Sequence, residues 1–194
     1  MTNLTKKEAT RQRILETAAR IIRRDGFDAL GVADVMKQAG LTHGGFYAHF
    51  PNRDALLAEA LDYAQRTSAN SIAVAVMQQL EQGEKPLVAY IDAYLSEAHI
   101  EACSQGEGCP VAALGSEFFR QQDGIKQEAR NAIQVFADKL IALSHQSLGR
   151  ADALFLVSAL TGAIQLARNL EDAHERAACL AITRQYLLNI YNPR

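Results

Sequence analysis

Apolar positions recur along this chain at spacings of three and four, the repeat of an α-helix with one buried face. Ile14, Leu15, Ala18, Ala19, Ile21 and Ile22 make one such face, and Asp25-Gly26 ends it. Thr5-Lys6-Lys7-Glu8 ahead of it has the spacing of a capping box, which predicts a helix starting near Lys6. Val32, Val35 and Met36 predict a short helix over 31–38 that opens without a side-chain cap at Gly31. Ala39-Gly40 breaks it, since Gly40 can turn left-handed at no steric cost. Thr42 is then the expected cap of a second short helix with Phe46, Tyr47 and Phe50 on its apolar side. Pro51 closes that helix, and Asn52 caps a third beginning near Arg53.

Further on, 54–82 reads as one long helix, broken at Gly83-Glu84-Lys85-Pro86, and another runs from there through Ala102. Ser104–Pro110 is the clearest loop. Helical patterns follow over 111–122, 125–147, 150–170 and 173–191, the last stopping before Pro193. No stretch alternates as a strand would. The expected fold is all-α, about nine helices: 1–53 as a three-helix helix-turn-helix domain, 54–194 as a larger helical body for effector sensing and dimerisation.

At 194 residues, 48% of them hydrophobic, the chain can bury a sizeable core. No 18-residue apolar run is evident and the opening MTNLTKKEATRQR lacks a signal peptide's apolar stretch, so a soluble cytoplasmic protein without a membrane partner is expected. Three cysteines at no common zinc spacing argue against a disulfide framework or a metal, and no cofactor is expected. The net charge of −2 hides an asymmetry: nine Lys/Arg face five Asp/Glu in residues 1–53, against eleven and seventeen in the remainder. A basic end on an acidic body suits contact with phosphate, although so modest a bias decides nothing alone.

Two short helices across a glycine turn form a helix-turn-helix, whose second helix enters DNA. Gly44 and Gly45 sit in that helix although glycine costs ~0.8–1 kcal/mol against alanine there, which suggests that something comes close to the backbone. Thr42, His43 and Gly44 are the residues expected nearest base edges, with Lys37 and Gln38 approaching from the preceding helix. Tyr47, His49 and Arg53 are candidates for phosphate, having a hydroxyl, an imidazole and a guanidinium to donate. His49 reads equally as a plain surface histidine, and Phe46 and Phe50 as core. Lys6, Lys7, Arg11 and Arg13 either reach phosphates or form a solvated helix start.

Three segments carry a family resemblance: Arg13–Ala19 closing in Asp25-Gly26-Phe27, the turn Ala39-Gly40-Leu41-Thr42, and the run Gly45–Leu56. Together they resemble the DNA-binding domain of the TetR family of bacterial transcriptional regulators, over about the first third of the chain. Gly31, where such sequences often have Ser or Thr, and Arg53, where lysine is commoner, depart from the pattern. The resemblance implies a homodimer on a double-stranded, palindromic DNA operator, and a repressor rather than an activator. It also implies that the last two helices pair with their copies as a four-helix bundle; Leu156, Leu160, Ala163, Ala167, Leu180 and Leu187 are the candidates, unless they close the body's own core.

Cys103 and Cys109 flank the loop in the body and read either as ordinary thiols or as a switch. For the switch, Gly108-Cys109-Pro110 puts a cysteine at a helix start, where a thiolate is stabilised. Gly-Cys-Pro followed by Ser116-Glu117 also resembles the LmrA/YxaF-like branch of the family, a branch that includes electrophile-sensing regulators. Cys179 reads as buried core. The other sensing possibility is an apolar cavity walled by Tyr90, Tyr94, Phe118, Phe119 and Met77, which read as plain core otherwise. The partner would be a small apolar ligand or an electrophile. Two readings from other classes stay open: a small thiol enzyme using Cys109, which lacks a base–nucleophile constellation, and a helical protein-interaction module without DNA. An enzyme is not expected.

Overall fold

A computed structural model of the chain describes residues 5–192; Met1–Leu4 and Pro193–Arg194, and with them the expected stop at Pro193, lie outside the described residues. The described residues form ten α-helices and two 3-10 turns. The first four helices are α1 (Lys6–Asp25), α2 (Val32–Gln38), α3 (Arg53–Thr67) and α4 (Asn70–Glu81). A 3-10 turn, His43–Ala48, lies between α2 and α3. Then come α5 (Pro86–Tyr94), α6 (Glu97–Ser104) and α7 (Pro110–Leu114), followed by a 3-10 turn, Phe118–Arg120. The chain ends in α8 (Asp123–Leu143), α9 (Arg150–Ala167) and α10 (Ala173–Tyr191).

The caps explain most of these boundaries. Thr5 and Glu8 exchange the two hydrogen bonds of a capping box at the start of α1. Asn52 Oδ1 accepts from Ala55 N at 2.8 Å and opens α3. Gly40, at φ +68°, ends α2 in a Schellman motif, with Leu41 N donating to Met36 O at 2.8 Å.

Differences from expectation fall where local signals are weak. The helix expected over 54–82 divides at Ser68-Ala69 into α3 and α4. The one expected to run through Ala102 divides at Leu95-Ser96, where the Ser96 side chain accepts from His99 N and starts α6. The second helix of the helix-turn-helix is a 3-10 turn, and Thr42 stands at its cap position without a side-chain hydrogen bond. Its two glycines account for that, being the residues least able to hold a regular helix.

Two apolar clusters hold the fold. The first joins α1, α2 and α3 around Ile14, Phe27, Phe46, Phe50, Leu57 and Leu61, and takes in Leu114, Phe118, Ile125 and Ala129 from the body. The second fills the body with Tyr94, Phe136, Leu140, Leu156, Leu160 and Leu180 among others. The α9 helix reaches a mean hydropathy of 1.2 over 18 residues, long and apolar enough to cross a membrane by length and composition, which corrects the expectation that the chain has no such stretch. Here one side of α9 packs into the second cluster, and its remaining apolar residues make an exposed stripe.

Candidate nucleic-acid interface and effector cavity

The head of the first domain is built outward from Phe46 and Phe50, which are buried and stacked with ring centroids 5.8 Å apart. With those rings inward, Thr42, His43 and Gly44 are exposed, as are Lys37 and Gln38 on α2. Tyr47 is 69% exposed, its ring set edge-on against Phe46 at 5.2 Å. Six of the eight predicted contact residues are therefore exposed, on α2 and on the 3-10 turn that follows it. A Cβ at Gly44 would meet no atom within 4 Å, so packing inside the chain does not require glycine there.

His49 and Arg53 are half-buried instead. Arg53 donates from Nε to Leu30 O at 2.8 Å and from its terminal nitrogen to Phe27 O at 2.6 Å. Its guanidinium ties α3 to the loop before α2 through two of its five N–H donors. His49 lies with Lys6, Lys7 and Thr10 along an open groove between α1 and the head, and its Nδ1 is buried without a partner. The amino-terminal lysines thus flank the same face.

Sequence reasoning missed two polar contacts that tie α1, and Phe27 just past its end, to the 107–117 segment of the body. Arg23 of α1 is buried, its Nε donating to Ala19 O at 3.1 Å and its Nη1 to Glu107 O and Gly108 O at 3.4 Å. Beside it Gly106, at φ +78°, runs so close to α1 that a Cβ would collide with Arg20 O. On the other side Glu117 Oε2 accepts from Phe27 N at 3.0 Å. The Gly-rich loop and Ser116-Glu117 were the available signals, but nothing in the sequence names their partners.

The loop held by Arg23 leads to Cys109, and both loop cysteines are buried. Cys103 is 1% and Cys109 5% exposed. Burial pushes the Cys103 thiol up to about 11 and raises that of Cys109 as well. Cys109 does cap α7, yet desolvation outweighs the help of a five-residue helix. Cys179, expected in the core, is half-buried.

The predicted cavity wall is also redistributed. Met77 is 61% and Phe119 71% exposed, so neither lines an interior space; Phe119 and Phe118 edge a shallow groove with Ala129 and Ile133. Tyr90 and Tyr94 are buried and packed around Phe136, with centroids 6.2 and 5.5 Å from it. Burial raises both phenols well above their ordinary value. A cavity of about 200 Å³ opens beside Tyr90. Its wall includes Gln65, Arg66, Ser68 and Ala69 at the α3–α4 break, with Cys109, Val135, Phe136 and Lys139 opposite. Gln65 and Lys139 were not foreseen. Neither residue type signals a pocket in sequence.

The expected dimer residues Leu156, Leu160, Ala163, Ala167, Leu180 and Leu187 are all buried within the protomer's own core. Their burial matches the alternative reading, that they close the body's own core. On the outer side of the same helices Phe155, Leu166, Ile182, Tyr186 and Ile190 are exposed.

Residues 14–60 match the family model of bacterial regulatory proteins, tetR family. Those residues form a TetR-family DNA-binding domain. An uncharacterized HTH-type transcriptional regulator of Mycobacterium tuberculosis, Rv0196, is 34% identical over 117 residues, 60% of this chain. That match spans only 57% of the mycobacterial protein's length. The HTH-type transcriptional regulator LmrA of Bacillus subtilis is 25% identical over 66% of this chain and 67% of its own. The HTH-type transcriptional repressor NemR of Escherichia coli is 26% identical over 72% of this chain and 67% of its own. The crystal structure of NemR in its reduced form shares the fold with a TM-score of 0.72, at 18% identity over 93% of this chain and 96% of that one. These relatives are named as regulators, none as an enzyme.

Proposed function

We propose that this chain is a homodimeric transcriptional repressor that binds a palindromic DNA operator through residues 1–53 and releases it when residues 54–194 take up an effector. The observation that carries the reading is the exposed head, with Thr42, His43, Gly44 and Tyr47 on one surface flanked by Lys37, Lys6 and Lys7. Polar groups sized for base edges stand at its centre and cations at its margins, the arrangement in which phosphate contacts position a protein and base contacts specify a site. Dimerisation would use the outer stripe of α9 and α10, because two such heads reach successive major grooves only when held about 34–36 Å apart. A cytoplasmic location accords with that role.

A second reading, release by cysteine modification, is favoured by the likeness to NemR, whose structure is described in a reduced form. Cys109 in the cavity wall would then be reached through the cavity rather than from bulk solvent.

The test is fluorescence anisotropy of the reduced protein on its own upstream intergenic DNA across a salt series, beside Gly44→Ala. Binding should weaken steeply with salt, as counterion release requires. Gly44→Ala should melt no lower than the wild type, since alanine at a compatible position gains ~0.4–1 kcal/mol, yet bind DNA more weakly if the backbone approaches it closely. Absence of salt-sensitive binding there and in a random-sequence selection would overturn the reading.

A further inference from the structure

The cavity beside Tyr90 carries chemistry that an apolar ligand would leave unused. The Lys139 ammonium sits 4.5 Å from the Tyr90 ring centroid, half-buried at the wall. No Asp or Glu lines the cavity with it. A cation that has lost part of its hydration without a carboxylate partner is a standing cost, which an anion brought into the cavity would offset. One further group lacks a partner: Gln65 Oε1 in the wall is buried with no donor. Buried polar atoms left unpaired in this way commonly mark where a ligand or an ordered water belongs.

Shape restricts the ligand further. The space, about 200 Å³, is below the ~300–1,000 Å³ of pockets for drug-sized molecules, and Tyr90 and Phe136 give it aromatic walls. The complement of these features is one planar ring, an anionic group for Lys139 and a donor for Gln65 Oε1. We infer that the cavity binds a single-ring aromatic carboxylate bearing a hydroxyl, with the carboxylate on Lys139 and the hydroxyl donating to Gln65. The wall supplies the route outward: Gln65 and Arg66 close α3, the helix whose Leu57 and Leu61 form part of the core beneath the head. A ligand held there touches the same helix that supports the DNA-facing surface. The inference names the effector class for the release step proposed above and rests on that reading only for its consequence.

Calorimetric titration of the full chain with 4-hydroxybenzoate and, separately, 4-hydroxybenzamide tests the assignment. The acid should bind about tenfold or more tightly than the amide, as a charge-assisted pair demands. Lys139→Met, checked by thermal melting, should bring the acid down to the amide's affinity and leave the amide's unchanged, while Lys139→Arg keeps the preference. Equal affinity for the two, no binding of either, or an acid preference that survives Lys139→Met would overturn it. DNA anisotropy with and without the acid separates the two claims. Lys139-dependent binding that leaves DNA affinity unaltered keeps the cavity assignment and removes the release step; DNA binding without acid binding does the reverse.

Discussion

A thiol attacks as its thiolate, so the surroundings of Cys103 and Cys109 set their reactivity. Both thiols are pushed above their ordinary value by burial, Cys103 to about 11, so at neutral pH the thiolate fraction is lower than in an exposed cysteine. Geometry adds a second barrier at Cys103, whose Sγ packs where a side chain at Gly108 would lie. Cys179 is only half-buried on α10. Timed alkylation with iodoacetamide at neutral pH, read by peptide mass, should therefore label Cys179 first. Cys103 and Cys109 should follow orders of magnitude more slowly until denaturant is added. Rapid labelling of Cys109 in the folded chain would instead restore it as a direct sensor. The lesson of this residue is physical. Gly108-Cys109-Pro110 signals a helix start, whereas the burial that raises the thiol is a tertiary property that no local pattern carries.

At the scale of elements, α1 is gripped by the body through the loop that follows α6. The Arg23 guanidinium supplies three hydrogen bonds to backbone carbonyls, two of them across to Glu107 and Gly108. Arg23→Met keeps the packing of the stem and removes those donors. The variant should lose about 1–3 kcal/mol in denaturant unfolding, the cost of leaving buried carbonyls unpaired. Hydrogen exchange should quicken over 104–109 while α9 stays protected; equal change in both would mean a global loss of stability rather than a released contact. Helices and caps such as Thr5–Glu8, Asn52 and Gly40 were legible in the sequence because each depends on residues within a turn. The Ser68-Ala69 break, which has no Gly or Pro, and the Arg23 and Glu117 contacts, which join residues 84 to 90 positions apart, were not. The candidate site divides in the same way: the head follows from local pattern, whereas the cavity needs α3, α5 and α8 brought together.

For the whole molecule, α9 and α10 have apolar residues on two sides, and only one side is covered by the protomer. Leu156, Leu160, Leu180 and Leu187 face inward, whereas Phe155 and Leu166 on α9 and Ile182, Tyr186 and Ile190 on α10 face out. Gly162, between Phe155 and Leu166, has nothing within 4 Å of where a Cβ would stand, so a second backbone could approach there. Exposed apolar area in one stripe is costly for a monomer and is the usual mark of an interface between copies. The two faces predict opposite failures. Tyr186→Glu should leave the melting transition of the isolated fold in place but give a monomer in sedimentation, and DNA affinity should fall because each head must then bind without its partner. Leu160→Ala should cost about 2–5 kcal/mol of stability through the cavity it opens, with a dimer retained in whatever fraction stays folded. If Tyr186→Glu remains dimeric while Leu160→Ala dissociates without unfolding, the interface lies on the inner face and the core assignment of these helices is wrong.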